Sequence, residues 1–263
     1  MITSSQNPKL KLVRALLGRT KERREAGKFV VEGVRLVEEA VKANWQFQFV
    51  LFSDGLNERG KELVNILTAK QIEVEETAGD LLQNVSETET PQGILAVLHL
   101  SYLPIPDLPT FILIPDQIRD PGNLGTLLRT AAAAGVQAAL LPPETTDAFA
   151  PKVLRAGMGA HFQLPIHSMT WDEIREPIKD TQIYLADMNG QSCWETDLRE
   201  PLALVIGGEA EGASEDARNL ATRRISIPMP GKVESLNAAV AGSVLMFEVL
   251  RQRSLNTTGT KGH

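Results

Sequence analysis

The sequence predicts a two-domain α/β protein, and three observations carry that prediction. Short β-rich runs alternate with stretches of helical periodicity along most of the chain. The alternation breaks once, at SYLPIPDLPT (101–110), which has three prolines in ten residues and no periodicity. At 263 residues, of which 43% are hydrophobic and 23% charged, the chain is long enough for two domains and apolar enough for each to bury a core.

In the first half, Asn7-Pro8 is a helix start, a capping side chain followed by proline at the first helical position, and Leu10, Val13, Leu16 and Leu17 recur at helical spacing. FVVEG (29–33) reads as a strand, VRLVEEAVKA as a helix, FQFVLF (47–52) as a strand, KELVNILTAK as a helix and GILAVLHL (93–100) as a closing strand. Such alternation implies a mostly parallel sheet with helices on its faces. Domain boundaries are expected at 1–102 for the first domain, 103–110 for a linker and 111–255 for the second domain, with a disordered tail at 256–263.

Beyond the linker the expected order is FILIPD strand, NLGTLLRTAAAAG helix, QAALLP strand, a helix near 148–158 and HFQLPI strand. WDEIREPIKD helix, QIYLAD and LALVIG strands, a short helix from Ser214, RISIP strand and a long helix from about Ser235 to Arg253 follow.

Composition excludes several functions. One cysteine, Cys193, forms no internal disulfide and no cysteine-based zinc site, and the four histidines lack ligand spacing, so no metal is expected. No run has signal-peptide or membrane-span character, and a cytoplasmic protein is expected. The net charge of -6 argues against a nucleic-acid partner, yet Lys9 to Lys28 holds eight basic residues against two acidic ones. A basic first helix is hidden in the average.

Three stretches hold the candidate chemistry. In DQIRDPGNLGTLLRTAAAAG (116–135), at about 100° per residue, Leu127, Leu128 and Ala131 fall within about 60° of Leu124, while Arg129 lies near 140° and faces away from the packing stripe. Arg129 is either a solvated arginine or a functional one, and Asn123 is equally a helix cap. LALVIGGEAEGAS (202–214) suits a buried strand whose end lets something approach the backbone closely. Gly207 and Gly212 flank four residues as in a phosphate-binding loop, but Ala213 stands where that loop needs lysine. Glu209 is open to a plain surface role. In IPMPGKVESLNAAVAG (227–242) two prolines and a glycine stiffen a loop that feeds a helix of very small side chains, with Ser235 a plausible cap. A tight helix crossing explains the small residues as well as a ligand does. Asn237 is a poor helix former there unless its amide has a partner.

In this order, DPGNLGTLLRTAAAAG, LVIGGEAEG and ISIPMPGKVESLNAAVAG resemble the three motifs of the SpoU (TrmH) group of SPOUT RNA methyltransferases. The N-terminal SSQNPKLKLVRALLGRTKERREAGKFVVEGVRLVEEA and TETPQGILAV are similar to the substrate-binding domain that precedes many such enzymes. The resemblance implies a parallel α/β sheet with a deep trefoil knot, a smaller α/β RNA-binding domain before it, S-adenosylmethionine as cofactor, a homodimer through the SPOUT domain, and methylation of a ribose 2′-hydroxyl in RNA. It implies backbone contacts to the cofactor from Gly207, Ile227 and Leu236, with Met229 nearby. It makes Arg129 the catalytic residue, here a clamp on phosphate and a stabiliser of developing alkoxide charge, because a guanidinium is a poor proton acceptor. Asn123, Glu209, Ser235 and Asn237 match the remaining polar positions. Ala238-Ala239 departs from the Val-Ser pair common in the family. Structured ribosomal RNA, read by shape through a basic helix, is the expected substrate, with Arg23, Arg24 and Arg35 as RNA contacts. Transfer to tRNA, or a non-catalytic RNA-binding protein of the same fold, are the alternatives.

Overall fold

The computed structural model describes residues 1–88, 90–209, 212–231 and 235–258. In chain order the elements are α1 (Pro8–Gly18), α2 (Thr20–Ala26), β1 (Lys28–Glu32), α3 (Val34–Lys42), β2 (Phe47–Phe52), α4 (Glu58–Ala69), β3 (Val74–Glu76), α5 (Gly79–Val85) and β4 (Ile94–His99). They continue as β5 (Phe111–Asp116), α6 (Pro121–Ala133), β6 (Ala138–Leu141), α7 (Pro151–Gly157), β7 (Ile166–Ser168), α8 (Trp171–Ile178), β8 (Gln182–Ser192), β9 (Leu202–Gly207), α9 (Glu215–Leu220), β10 (Arg223–Ser226) and α10 (Ala238–Thr258). Two compact units result, Met1–Ser101 with Phe149–Phe162, and Tyr102–Ala148 with Gln163–His263.

The first unit holds a four-stranded sheet in the order β1-β4-β2-β3. The mostly parallel sheet expected from the alternation is not what forms. β4 runs antiparallel to both β1 and β2, and only β2 and β3 are parallel. The crossover from β1 through α3 to β2 leaves one strand position empty between them, and β4 returns through it in the opposite direction. One face buries Leu10, Val13 and Leu16 of α1 against Val30, Phe49, Leu51 and Val97. Phe149 and Phe162 belong to this unit through aromatic packing, with ring centroids 4.9 Å from Phe29 and 5.2 Å from Trp45 respectively.

The second unit is a six-stranded sheet in the order β10-β8-β9-β5-β6-β7, with each neighbouring pair parallel. The all-apolar burial of FILIPD and LALVIG follows from helices covering both faces. Ile112, Ile114, Ala203 and Val205 meet Ile174 and Ile178 of α8 and Ala217 of α9 on one side. On the other, α6 and α10 pack together and on the sheet. Register places the β5 and β9 ends side by side, Asp116 opposite Gly207. β8 bulges between Leu185 and Gln191 where β10 pairs with it, and a Cβ on Gly190 would lie 2.5 Å from Ile225 N. Cys193 is buried, and its thiol is pushed up to about 11, first by desolvation and then by Glu248.

Helix termini correct two expectations. Asp120 caps α6, its carboxylate accepting from the Asn123 N–H at 2.8 Å, so Asn123 sits inside the first turn with its amide available. Ser235 is not the cap of the last helix. α10 begins at Ala238, and Asn237 Oδ1 accepts from Ala239 N at 2.9 Å and Val240 N at 3.2 Å. α10 runs through Thr258, and residues 259–263 of the expected tail lie outside the described residues.

The small residues of α10 serve helix packing. A Cβ on Gly242 would lie 2.4 Å from Leu127 Cδ2 of α6 and 3.3 Å from Ile206 Cγ1 of β9. Ser243 Oγ lies 3.0 Å from Thr130 Oγ1, tying the same two helices. Because Leu127 is fully buried and cannot swing aside, Gly242→Ala is expected to destabilise the fold by about 1–3 kcal/mol. Urea denaturation checks this, and an unchanged midpoint would mean that the α6–α10 contact has slack.

Candidate active site

The site lies at the C-terminal edge of the parallel sheet, where the loops after β5 and β9 meet the segment before α10. Glu209 follows Gly207-Gly208. Its Oε1 accepts from Asn123 Nδ2 at 2.6 Å and from Asn237 Nδ2 at 2.6 Å, and Asn237 Nδ2 also donates to Asn123 Oδ1 at 3.0 Å. Three residues 114 positions apart in sequence at the extremes are thus tied through one carboxylate oxygen. The Asn237 amide is used at both ends, its oxygen capping α10 and its nitrogen in the cluster. As the cap rather than a first-turn residue, Asn237 is not the poor helix former expected from the sequence, and its amide nitrogen is engaged all the same.

Two glycines allow these loops to close. A Cβ on Gly207 would lie 2.6 Å from Ala213 N and 2.7 Å from Gly212 C, and one on Gly208 would lie 2.5 Å from Gln117 O. All are backbone atoms that cannot yield. Asp116, absent from the sequence-based candidates, is fully buried at the end of β5 and accepts from Ser214 N at 2.6 Å. It thereby anchors the far end of the Gly207–Ser214 loop. Burial pushes its carboxyl above the usual range, opposed by the hydrogen bonds from Ser214. An apolar strand ending in aspartate, FILIPD, was the only available signal.

A cleft of about 550 Å³ opens beside the cluster. Gly207, Ile227, Met229, Ser235 and Leu236 line it together with Glu209 and Asn237. The β8 bulge supplies Ala186, Asp187 and Met188, and Leu185, Ile206 and Leu245 form apolar wall. The volume lies within the range of about 300–1,000 Å³ that encloses a cofactor-sized ligand. A second cavity of about 260 Å³ shares Gly208, Glu209 and Gly212 with the first and is further lined by Gln117, Arg119, Asp120 and Asn123.

Arg129 stands apart. It is exposed on α6 and lines neither cavity, six residues and about 9 Å of helix rise beyond Asn123. The three arginines expected at RNA divide. Arg24 and Arg35 are exposed in the first unit. Arg23 is buried, at 4% exposure, and its Nη1 donates to the carbonyls of Leu16 at 2.6 Å and Leu17 at 3.4 Å. Its place is to satisfy the last-turn carbonyls of α1, a need that charge counting along the sequence does not show. Lys9, also counted in the basic helix, is engaged by Glu73 at 2.7 Å and Glu75 at 2.5 Å.

The fold and site define an α/β protein whose polar cluster and ligand-sized cleft lie at the C-terminal ends of parallel strands, the usual place for a binding site in such a sheet. The model of the SpoU rRNA Methylase family matches residues 110–247, and that of the MRM3-like substrate binding domain matches residues 7–96. A 23S rRNA (guanosine(2553)-2′-O)-methyltransferase of Bacillus subtilis is 34% identical, over 94% of this chain and 98% of its own length. A 23S rRNA (uridine(2479)-2′-O)-methyltransferase of Streptomyces viridochromogenes is 31% identical over 98% of this chain and 94% of its own. Among solved structures, the SpoU methyltransferase AviRb from Streptomyces viridochromogenes in complex with AdoMet has a TM-score of 0.83 at 30% identity, covering 95% of this chain and all of that one. An AdoMet-bound rRNA methyltransferase from Sinorhizobium meliloti has a TM-score of 0.84 at 29% identity, covering 95% of this chain and 97% of that one. The chain belongs to the SpoU rRNA methylase family. It is an S-adenosylmethionine-dependent RNA methyltransferase.

Among the described residues, no cluster of metal-ligating side chains occurs and no helix is long and apolar enough to cross a membrane. If the Gly207 turn shapes the cofactor cleft, Gly207→Ala must lower affinity for S-adenosylhomocysteine, read by calorimetry, by about tenfold or more, since the added methyl meets unyielding backbone. Wild-type affinity in that variant would detach the turn from cofactor binding.

Proposed function

We propose that the protein methylates a ribose 2′-hydroxyl of 23S ribosomal RNA, with the cofactor in the larger cleft and the acceptor ribose beside Glu209. The observation that carries this reading is the Asn123–Glu209–Asn237 cluster at the junction of the two cavities. Bound S-adenosylmethionine supplies an already activated methyl on a sulfonium, so the protein's task is positioning and disposal of one proton. Gly207, Ile227 and Leu236 offer backbone groups to the cofactor, Met229 adds apolar contact, and Asp187 and Arg218 bring a carboxylate and a guanidinium suited to its amino-acid group. Glu209 Oε1 is filled by two amides, which leaves Oε2 to accept from the ribose hydroxyl. Ser235 orients that hydroxyl, and the two asparagines act through the Glu209 carboxylate that they hold. Ala238-Ala239 adds no hydroxyl there, so orientation rests on Ser235 and the cluster.

The close approach of Gly208 to the Gln117 backbone, between the loops after β9 and β5, supports the trefoil knot that the family implies. A homodimer completes the site. On α10, Val240 and Phe247 are each 48% exposed and stand seven residues apart on one helix face, an apolar stripe suited to a second copy. α6 packs beside α10 and carries Arg129 outward, so the partner subunit's Arg129 reaches the acceptor phosphate and the developing alkoxide. Arg24 and Arg35 contact the RNA from the first unit, and the protein works where ribosomes assemble, in the cytoplasm.

Purified protein with radiolabelled S-adenosylmethionine and an unmodified 23S rRNA transcript is expected to label a ribose. Arg129→Ala and Asn237→Ala each lower labelling by about a hundredfold, leaving both nearly inactive. Co-expressed as a mixture, the two nearly inactive variants recover about a quarter of wild-type activity, because half of the dimers are mixed and each holds one intact composite site. Full activity retained in Arg129→Ala refutes its role, and no recovery in the mixture refutes a shared site.

A further inference from the structure

The smaller cavity carries a charged pair that cofactor and ribose binding do not use. Its interior is acidic and neutral, with Asp120 and Glu209 beside Asn123 and Gln117, so a ribose fits inside it and a phosphate does not. The basic side chain on its lining is Arg119, and Arg119 Nη2 is held by Glu144 Oε2 at 2.7 Å. Both side chains are more than half exposed, at 59% and 58%. An ion pair at that exposure exchanges readily and contributes little to folding.

The backbone places this pair deliberately. Gln117 and Glu144 both have left-handed φ, 54° and 66°, which L side chains rarely adopt and which persists only where the surroundings fix it. The surroundings do so here. Thr145 Oγ1 donates to Pro115 O at 2.7 Å and Thr146 N donates to Ile118 O at 3.0 Å, so the residues just after Glu144 are stitched to the end of β5 and to the loop that leads to Arg119. Glu144 therefore occupies, by construction, the position of an anion on Arg119, the basic residue of the cavity lining.

We propose that Arg119 binds a backbone phosphate adjoining the acceptor ribose, and that Glu144 is the resident carboxylate which that phosphate displaces. The proposal rests on the acceptor ribose entering the smaller cavity. With Asp116, Asp120, Glu144 and Glu209 close by, an approaching polyanion meets net negative charge, and exchange of partners at Arg119 offsets that repulsion only when a phosphate is correctly placed. A polyanion seated elsewhere gains nothing from this pair.

The test uses the full-length protein and an unmodified 23S rRNA transcript. Filter binding over a series of KCl concentrations is expected to show the slope of log K against log salt reduced by about 1 in Arg119→Ala, one phosphate contact fewer. In steady-state transfer, KM for the transcript rises about tenfold in Arg119→Ala while kcat stays within about twofold, and affinity for S-adenosylhomocysteine is unchanged. Glu144→Gln lowers KM for the transcript about threefold in the wild-type background and has no effect in the Arg119→Ala background, because its action passes through that guanidinium. An unchanged salt slope in Arg119→Ala, or a raised KM in Glu144→Gln, overturns the proposal. Filter binding requires no methyl transfer, so a wild-type protein that forms no product refutes the proposed function while the slope still decides the role of Arg119.

Discussion

One carboxylate oxygen ties together the candidate active site. Glu209 Oε1 receives amide protons from Asn123 in the first turn of α6 and from Asn237 at the cap of α10, so three loops that are far apart in the chain are fixed to one atom. A charged acceptor taking two charge-assisted hydrogen bonds holds its donors more firmly than neutral pairs do. Its position follows from the sheet. Parallel β5 and β9 end in register, Asp116 beside Gly207, and this delivers the loop carrying Glu209 alongside the loop leading to α6. Asp116 fastens the other end of the same loop through Ser214 N.

Glycine makes that geometry physically accessible. At Gly207 and Gly208 another stretch of backbone lies within 2.5–2.7 Å of where a Cβ would be, and at Gly242 the constraint is a packed Leu127. The first pair shapes the cleft, and the last brings α10 against α6. The thin helix and the stiff loop before it thus answer to different demands. Smallness serves the α6–α10 crossing, while the proline-bearing segment contributes Ile227 and Met229 to the cleft wall.

Much of this was legible in the amino-acid sequence. The three motifs contained Asn123, Gly207, Glu209, Leu236 and Asn237, which the fold brings around the cleft and its neighbour. Local pattern was a poorer guide where tertiary context decides. Ser235 had the right residue type for a cap, but Asn237, two residues later, serves both as cap and as site residue. Arg23 counted toward a basic helix, yet it closes the end of α1 from inside. The alternation in the first half encodes an α/β unit, but the direction of β4 depends on which slot the crossover leaves vacant, and no local signal encodes that. Arg119 and Glu144, 25 residues apart, become a pair only through two threonine-mediated loop contacts.

If a single carboxylate oxygen couples the motifs, the two asparagines do not act independently. The most direct measurement is a double-mutant cycle on kcat/KM with Asn123→Ala, Asn237→Ala and the double variant, with folding monitored by circular dichroism. Shared dependence on Glu209 predicts a double variant scarcely worse than the more damaged single one, a coupling of about 1 kcal/mol or more. Strictly additive losses would contradict it, and would mean that each asparagine meets the substrate on its own.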